Sequence, residues 1–564
     1  MSTVDWVVMS GFIGFVVLYG TWKSRNTSDV DTYLRAGRSS KWWLVALSIM
    51  ATQASAITFL STPGQAYVDG MRFLQFYLGL PIAMIILSVT AVPLYNKMNV
   101  YTAYEFLEKR FDLKNRMLGS ALFLTQRGLA AGFTIYAPSL ILSVILGWEM
   151  NITIIVVGAM VILYTTVGGT VAVNKTHFLQ MIIITIGMFA AFYVLMSLLP
   201  EEVSIFDAAF VAGKLGKLNV IDFTFDLSNR YTFWSGIIGG TFLMLSYFGT
   251  DQSQVQRYLA GSSVTQSRLA LLTNGLVKVP MQFIILFIGA MVFVFFQFVT
   301  PPLFFNPVEE AKVKSGIYKS EYELVEKEYS ELHNKKQDEL KELISSNHND
   351  DKELVRIKTE SIVENQQKTD ELKSRAVEII KKSDPSADTN DTNYIFLSFI
   401  INFLPIGFIG LLIAAILSAS MSSTSAELNA LASTTVIDFY KRLIQKDAGD
   451  FHYLQVSKIA TIFWGIYAIL FALFAKELGS LIEAVNILGS LVYGTILGIF
   501  LTAFYTKKVT GTSTFISAIL AELVVIYCYL FTEIPFLWYN VIGCLIVVIG
   551  AFLFSKLLNF SGKF

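Results

Sequence analysis

The chain has 564 residues, 54% of them hydrophobic and 15% charged, with a mean hydropathy of +0.56. Soluble domains run near about 25% charged, so this composition excludes an ordinary cytosolic enzyme. Forty-three Lys and Arg against 43 Asp and Glu also leave none of the bulk positive charge that a nucleic-acid binder relies on, and no nucleic acid is expected as a partner.

The zero net charge hides an uneven distribution. Between Glu309 and Asp384 lie 15 basic and 19 acidic residues, and the other 488 residues hold 28 basic and 24 acidic ones. Two cysteines, Cys528 and Cys544, sit in apolar runs and make no disulfide framework.

A membrane-crossing helix needs about 20 apolar residues, because the hydrocarbon core is about 30 Å thick. Thirteen runs meet that need: residues 5 to 22, 42 to 62, 73 to 96, 117 to 147, 152 to 168, 178 to 199, 233 to 250, 270 to 299, 393 to 438, 454 to 475, 479 to 505, 512 to 531 and 536 to 557. Those at 117 to 147 and 393 to 438 exceed one perpendicular crossing and are expected to tilt, break or extend into water. The first follows Asp5 rather than a basic segment and reads as a retained helix, not a signal peptide.

Basic residues in short loops mark the cytoplasmic side. Lys23, Arg25, Arg35, Arg38 and Lys41 follow the first run, Lys97 to Arg116 the third, and Lys175 the fifth. Arg257 and Arg268, then Lys441, Arg442 and Lys446, then Lys507 and Lys508 continue the pattern. It predicts a multi-pass protein of the plasma membrane (the inner membrane in a Gram-negative cell), with its N-terminus outside and its C-terminus cytoplasmic. The organisation is then a first membrane part, 1–304, an extracytoplasmic charged insertion, 305–392, and a second membrane part, 393–564.

In the insertion, charges alternate with apolar residues at helical spacing. Tyr322, Leu324, Val325, Tyr329, Leu332, Leu340 and Leu343 outline one arm of a helical hairpin, with a break near Ser345 to Asp351 and a second arm from Lys352 to Lys382. Two readings stand: a solvated helical pair with no part in transport, or a docking site for a protein partner.

Within a bilayer, polar and irregular stretches survive only where they line a cavity or bind something. The second run carries Ala51-Thr-Gln-Ala-Ser-Ala-Ile-Thr58, which predicts a broken helix, since Gln53 at mid-span needs partners. The ninth carries Ser418-Ala-Ser-Met-Ser-Ser-Thr-Ser-Ala-Glu427-Leu-Asn429. Hydroxyls and freed carbonyls are hard ligands, and without paired carboxylates they suit a monovalent cation.

At these residues the chain resembles the sodium:solute symporter family. Tyr33-Leu-Arg-Ala-Gly-Arg38, Tyr164-Thr-Thr-Val-Gly-Gly169 running on to Lys175-Thr-His-Phe-Leu-Gln180, Gln252-Ser-Gln-Val-Gln-Arg257 and the serine run ending at Asn429 carry the likeness together with the Ala51 to Thr58 break. Tyr101-Thr-Ala-Tyr-Glu-Phe-Leu and Tyr136-Ala-Pro-Ser-Leu are similar to the iodide, monocarboxylate and multivitamin branch. The resemblance implies an all-α polytopic membrane protein of about 13 transmembrane helices, a LeuT-like 5+5 inverted repeat with one N-terminal and two C-terminal extra helices. It implies a sodium-coupled importer of a small-molecule solute.

The resemblance also implies the ligands of the coupling ion, Na+: the carbonyls of Ala51, Ala54 and Ala419 and the hydroxyls of Ser422 and Ser423. The spacing agrees, because residues i, i+3 and i+4 share one helix face. Relatives with a second sodium use an aspartate and a further serine where this chain has His177 and Ala426. Neutral imidazole is a poor sodium ligand and a charged one repels the ion, so one sodium per cycle is expected. Glu427 is a less favoured substitute, since at helix spacing it faces away from Ser425.

By position in the resemblance the solute is lined by Gln53, Ser55, Thr58, Phe73, Gln75, Tyr247 and Phe248, with Tyr247 as a cap. Phe73 and Phe248 are equally readable as packing residues. Arg127, about ten residues into the fourth run, is costly in a membrane. It reads either as an anchor for a solute carboxylate, as in the family's sialic-acid transporters, or as a snorkelling part of an inner gate. A small organic anion is the preferred solute; a neutral sugar or polyol, or a nutrient sensor on a transporter scaffold, are the alternatives. An enzyme is not expected, because no nucleophile and base pair is visible.

Overall fold

A computed structural model describes residues 1–24, 40–98, 100–474 and 479–561. The Tyr33 to Arg38 motif falls outside these residues, and so do the side chains of 167–179, Lys175 and His177 among them.

Among the described residues no strand forms, and one isolated parallel bridge joins Ser40 to Gly261. The first half of the chain folds as α1 (Thr3–Ser24), α2 (Trp42–Gln53), α3 (Ala56–Asp69), α4 (Gly79–Val89), α5 (Ala91–Met98), α6 (Glu105–Arg110), α7 (Leu113–Leu146), α8 (Met150–Ser197) and α9 (Ile205–Lys214). There follow α10 (Gly240–Gly249), α11 (Gln252–Leu259), α12 (Val264–Phe298) and three charged helices, α13 (Pro307–Ser315), α14 (Lys319–His348) and α15 (Lys352–Ser383). The rest is α16 (Thr392–Phe403), α17 (Phe408–Thr434), α18 (Asp450–Ala472), α19 (Leu481–Tyr505), α20 (Gly511–Phe531) and α21 (Phe536–Ser561).

Among the described residues, 9 helical stretches are long and apolar enough to cross a membrane, and five shorter apolar helices accompany them. They differ from the thirteen runs in sequence at several places; the third run, for one, continues from α3 in a single stretch, Ala56–Met98. The second run is two helices, α2 and α3, parted at Ala54 and Ser55. The fifth and sixth runs lie in one helix of 48 residues, α8, because Lys175 comes with no proline to break the backbone. The ninth run is α16 and α17, parted at Leu404 to Gly407, where Pro405 has no N–H to continue the ladder.

Local chemistry sets several helix starts. The Asp112 side chain accepts the Asn115 N–H at 3.1 Å, and Ser204 with Asp207 forms a capping box on α9. The start of α17 is capped from a distance: Asp5 of α1 accepts the N–H groups of Gly407 at 2.6 Å and Gly410 at 3.1 Å. An acidic residue there also complements the positive end of the helix dipole.

The C-terminal half of the broken helix, α3, is packed backbone to backbone. A Cβ added at Gly64 would stand 2.0 Å from the Thr392 carbonyl oxygen of α16, and one at Gly289 of α12 would stand 2.2 Å from that of Pro63. Only glycine admits such approaches, which small residues provide in membrane bundles.

The insertion is an antiparallel hairpin of α14 and α15 whose inward stripe reads Tyr322, Val325, Tyr329, His333, Lys336, Leu340 and Leu343. Leu324, expected in that stripe, is 55% exposed, and Leu332 gives way to His333. The hairpin is tied to the membrane part by His348 Nε2 against Asp207 Oδ1 at 2.8 Å and by Gln337 Nε2 donating to the Phe298 carbonyl at 2.8 Å.

Candidate functional site

The break in the second run frees backbone. Ala54 (φ −92°, ψ 78°) and Ser55 (φ −88°, ψ 178°) leave the helical region, so the Ala51 carbonyl lacks the N–H that a continuous helix would bring four residues on. Facing it is α17. Ser423 Oγ lies 3.2 Å from the Ala51 oxygen and 3.1 Å from the Ala419 oxygen, so three hard oxygens from two helices converge. These oxygens fit a small alkali cation, which accepts hydroxyl and carbonyl oxygens in place of water.

Two expected ligands stand differently. Ser422 donates to Gln180 Oε1 of α8 at 2.7 Å, and Gln180 Nε2 donates to the Ser418 carbonyl at 3.2 Å. Gln180 ends the quoted Lys175 to Gln180 motif, yet sequence reasoning gave it no role. Ala54 lies at the break, fully buried, its N–H held by Met50 O at 2.8 Å. Ser425, at the expected second-sodium position, shares a hydrogen bond of 2.6 Å with Thr165.

Beside the break is a cavity of about 80 Å3, and Gln53, Ser55, Thr58, Arg127 and Tyr247 all line it. The other three expected residues do not. Phe73 stacks on Phe76 at 5.5 Å and meets Tyr231 edge-on at 5.3 Å. Gln75 spends its amide on backbone, donating to Tyr231 O at 2.9 Å and accepting from Asp222 N at 2.9 Å. Phe248 is fully buried against Tyr247. Residues near a functional helix end thus serve to pack or pin a loop, which position in the chain does not reveal.

Arg127 of α7 is the centre of a buried cluster. Its Nε donates to Asp251 Oδ2 at 3.1 Å, one terminal nitrogen to Glu427 Oε1 at 3.0 Å, and the other to Asp251 and the Tyr493 hydroxyl. Tyr493 in turn donates to Asp251 at 2.9 Å, and Thr134 donates to the second Glu427 oxygen at 3.0 Å. The guanidinium also sits 5.4 Å from the Tyr247 ring centre.

One charge-assisted clasp therefore ties α7, α11's cap Asp251, α17 and α19 together. Asp251, Tyr493 and Thr134 were not among the expected site residues. The signal for Asp251 was its place immediately before the Gln252 to Arg257 motif; Glu427 faces away from Ser425 as expected and meets Arg127 instead.

Thr424 of α17 joins the two sites, donating to the Thr134 hydroxyl at 3.0 Å. Among the described residues no group of three or more His, Cys, Asp and Glu could hold a metal ion. The oxygen set at Ala51, Ala419 and Ser423 carries no formal charge, as suits a monovalent ion that must also leave.

Comparison with known proteins places this arrangement. The family model described as sodium:solute symporter family matches residues 33–316 and 382–521, more than half of the chain, and skips the hairpin. The sodium/sialic acid symporter NanT of Aliivibrio fischeri (strain ATCC 700601 / ES114) is 23% identical over 98% of this chain and 93% of its own length. The human sodium/iodide cotransporter is 32% identical over a shorter part, 44% of this chain and 38% of its own.

A solved Na+-coupled sialic acid symporter in a substrate-bound, outward-open state aligns with a TM-score of 0.74, covering 99% of this chain and 98% of that one at 22% identity. That likeness bears out the all-helical, LeuT-like architecture. The chain belongs to the sodium:solute symporter family: it is a transporter, not an enzyme, and Na+ is its coupling ion.

Proposed function

We propose that the protein imports one small organic anion with one Na+ per cycle by alternating access through the cavity beside the helix break. The observation that carries this is the convergence of Ser423 Oγ on the Ala51 and Ala419 carbonyls, which joins the broken helix to the serine-rich one. Sodium held there by Ala51, Ala54, Ala419, Ser422 and Ser423 organises the break and raises solute affinity, and linkage makes the effect reciprocal.

The solute occupies the space bounded by Gln53, Ser55 and Thr58, with Tyr247 over it and Arg127 as the cation of the lining. A carboxylate entering there competes with Asp251 and Glu427 for the guanidinium, so solute binding and the clasp are mutually exclusive uses of one side chain. Relatives named for sialic acid, iodide and monocarboxylate support an anion. The N-terminus lies outside, the C-terminus in the cytoplasm, and the hairpin on the extracytoplasmic face of the plasma membrane or a Gram-negative inner membrane.

Uptake by proteoliposomes under an imposed sodium gradient tests the reading. A panel of monocarboxylates, sialic acid, sugars and polyols should give sodium-dependent accumulation of an acid. Accumulation of a neutral sugar alone removes the anion, and solute binding with no uptake points to a sensor.

A further inference from the structure

The family model leaves residues 317–381 unmatched, so most of the hairpin lies outside the part of the chain that carries the family match. Between it and the ends of α3, α12 and α16 lies a chamber of about 440 Å3, in the size range of small-molecule sites. It shares no lining residue with the cavity at the helix break.

Its wall contains an anomaly of the hairpin stripe. Lys336, only 2% exposed, occupies a position that the repeat of apolar residues reserves for a hydrophobe, and its ammonium has Gln366 as its hydrogen-bond partner. His333, one turn earlier and 4% exposed, has a ring Nε2 with no partner.

Two more ammonium groups face the same space. Lys373 stands 5.7 Å from the Tyr67 ring centre and 5.4 Å from that of Phe305, and Lys217 stands 4.5 Å from the Phe293 ring centre. Among the described residues none of these three lysines has a carboxylate within 4.0 Å; Lys336 is the buried one, Lys373 and Lys217 are half-buried, and Lys217 donates to the Val68 carbonyl.

Against burial, Tyr67, Tyr329, Asp391 and Asp370 hold the Lys373 ammonium above its usual range from beyond ion-pair distance, and the carboxylates hydrogen-bond elsewhere. Asp391 accepts the Phe305 N–H at 2.9 Å, Asp370 accepts from Gln366 at 2.8 Å, and Asp69, outside the lining, is held by Gln65. Burial and the neighbouring lysines push the Lys336 ammonium down to about 7, and burial pushes Lys217 down to about 8. Asp370 for both groups, and Asp69 for Lys217, opposes the shift without overcoming burial, so a bound anion would favour both ammonium forms.

We propose that this chamber is a second ligand site, for a small organic carboxylate held between Lys336 and Lys373 with its remaining atoms against the rings of Tyr67 and Phe293. Three ammonium groups against two carboxylates in the lining suit a monoanion, and the aromatic walls suit one with a carbon skeleton rather than a bare inorganic ion. Because Tyr67 belongs to α3, the ligand bridges the hairpin to the C-terminal half of the broken helix.

The test uses the full-length protein in nanodiscs with choline in place of sodium, and benzoate as probe followed by saturation-transfer NMR. Benzoate should bind and benzamide should not, and the double change Lys336→Met with Lys373→Met should weaken benzoate by about tenfold or more. On the unaltered protein, azidobenzoate should photolabel peptides of α14 or α15. Equal binding of benzamide, no binding of benzoate, affinity unchanged in the double variant, or label confined to the central helices would each overturn the proposal. The photolabelling decides the matter if the double variant does not fold.

Discussion

The hydroxyl of Ser423 lies 3.2 Å from the carbonyl oxygen of Ala51, across the interface between α17 and the broken helix. A side chain that is a sodium ligand rather than a packing residue leaves a particular mutational signature. Ser423→Ala should raise the sodium concentration for half-maximal uptake about tenfold, worth about 1.4 kcal/mol, with the thermal midpoint shifted by no more than a few degrees. A large fall in the midpoint with sodium activation unchanged would make the serine structural.

The Arg127 clasp predicts non-additivity. Arg127→Ala leaves the Asp251 and Glu427 carboxyls buried without their cation, which costs about 3 to 5 kcal/mol. Adding Asp251→Asn should recover part of that loss, so a double-mutant cycle read by thermal unfolding in detergent should show coupling above about 1 kcal/mol. Simple additivity would show that the guanidinium and Asp251 are neighbours without mutual dependence.

Charge transfer tests the stoichiometry. One Na+ with one monoanion carries no net charge, so uptake should be insensitive to a valinomycin-imposed potential, whereas each uncompensated charge would feel about 2.3 kcal/mol per 100 mV. A reversal potential requiring two sodium ions per solute would show that a second ion binds despite His177 and Ala426.

The hairpin should loosen in acid. Burial, aided by Lys336 and Lys373, pushes His333 down to about 4 from its usual 6.5. The folded hairpin therefore binds this proton less readily than the unfolded chain does. Its stability is intact above about 6.5 and declines as pH falls towards about 4, by up to about 3 kcal/mol. Hydrogen exchange across Tyr329 to Leu340 should quicken over that interval, and His333→Phe should abolish the pH dependence. A profile unchanged by that substitution would assign the effect to other groups.

Much of this was legible in the sequence because membranes penalise exceptions. The break at Ala54 could be read from four hydroxyl or amide side chains where a span should be apolar, and the hairpin from charges spaced against Leu, Val and Tyr. What could not be read is pairing between distant helices. Arg127 announces a cost but not that Asp251, 124 residues away, and Glu427, 300 away, meet it. Gln75 and Phe73 show the converse, since a residue beside a functional helix end is free to serve a loop or a core.

The glycine contacts that fasten α3 have a mechanical consequence. Where Pro63 meets Gly289 and Gly64 meets Thr392, backbone lies against backbone with no side chain between them to change rotamer and take up displacement. The C-terminal half of the broken helix is thus geared to α12 and α16, and rocking that uncovers the cavity is expected to carry the three as one block. Spin-label distances among them should stay constant through the cycle while their distances to α2 change, and Gly289→Ala should jam the gearing before it touches either binding site.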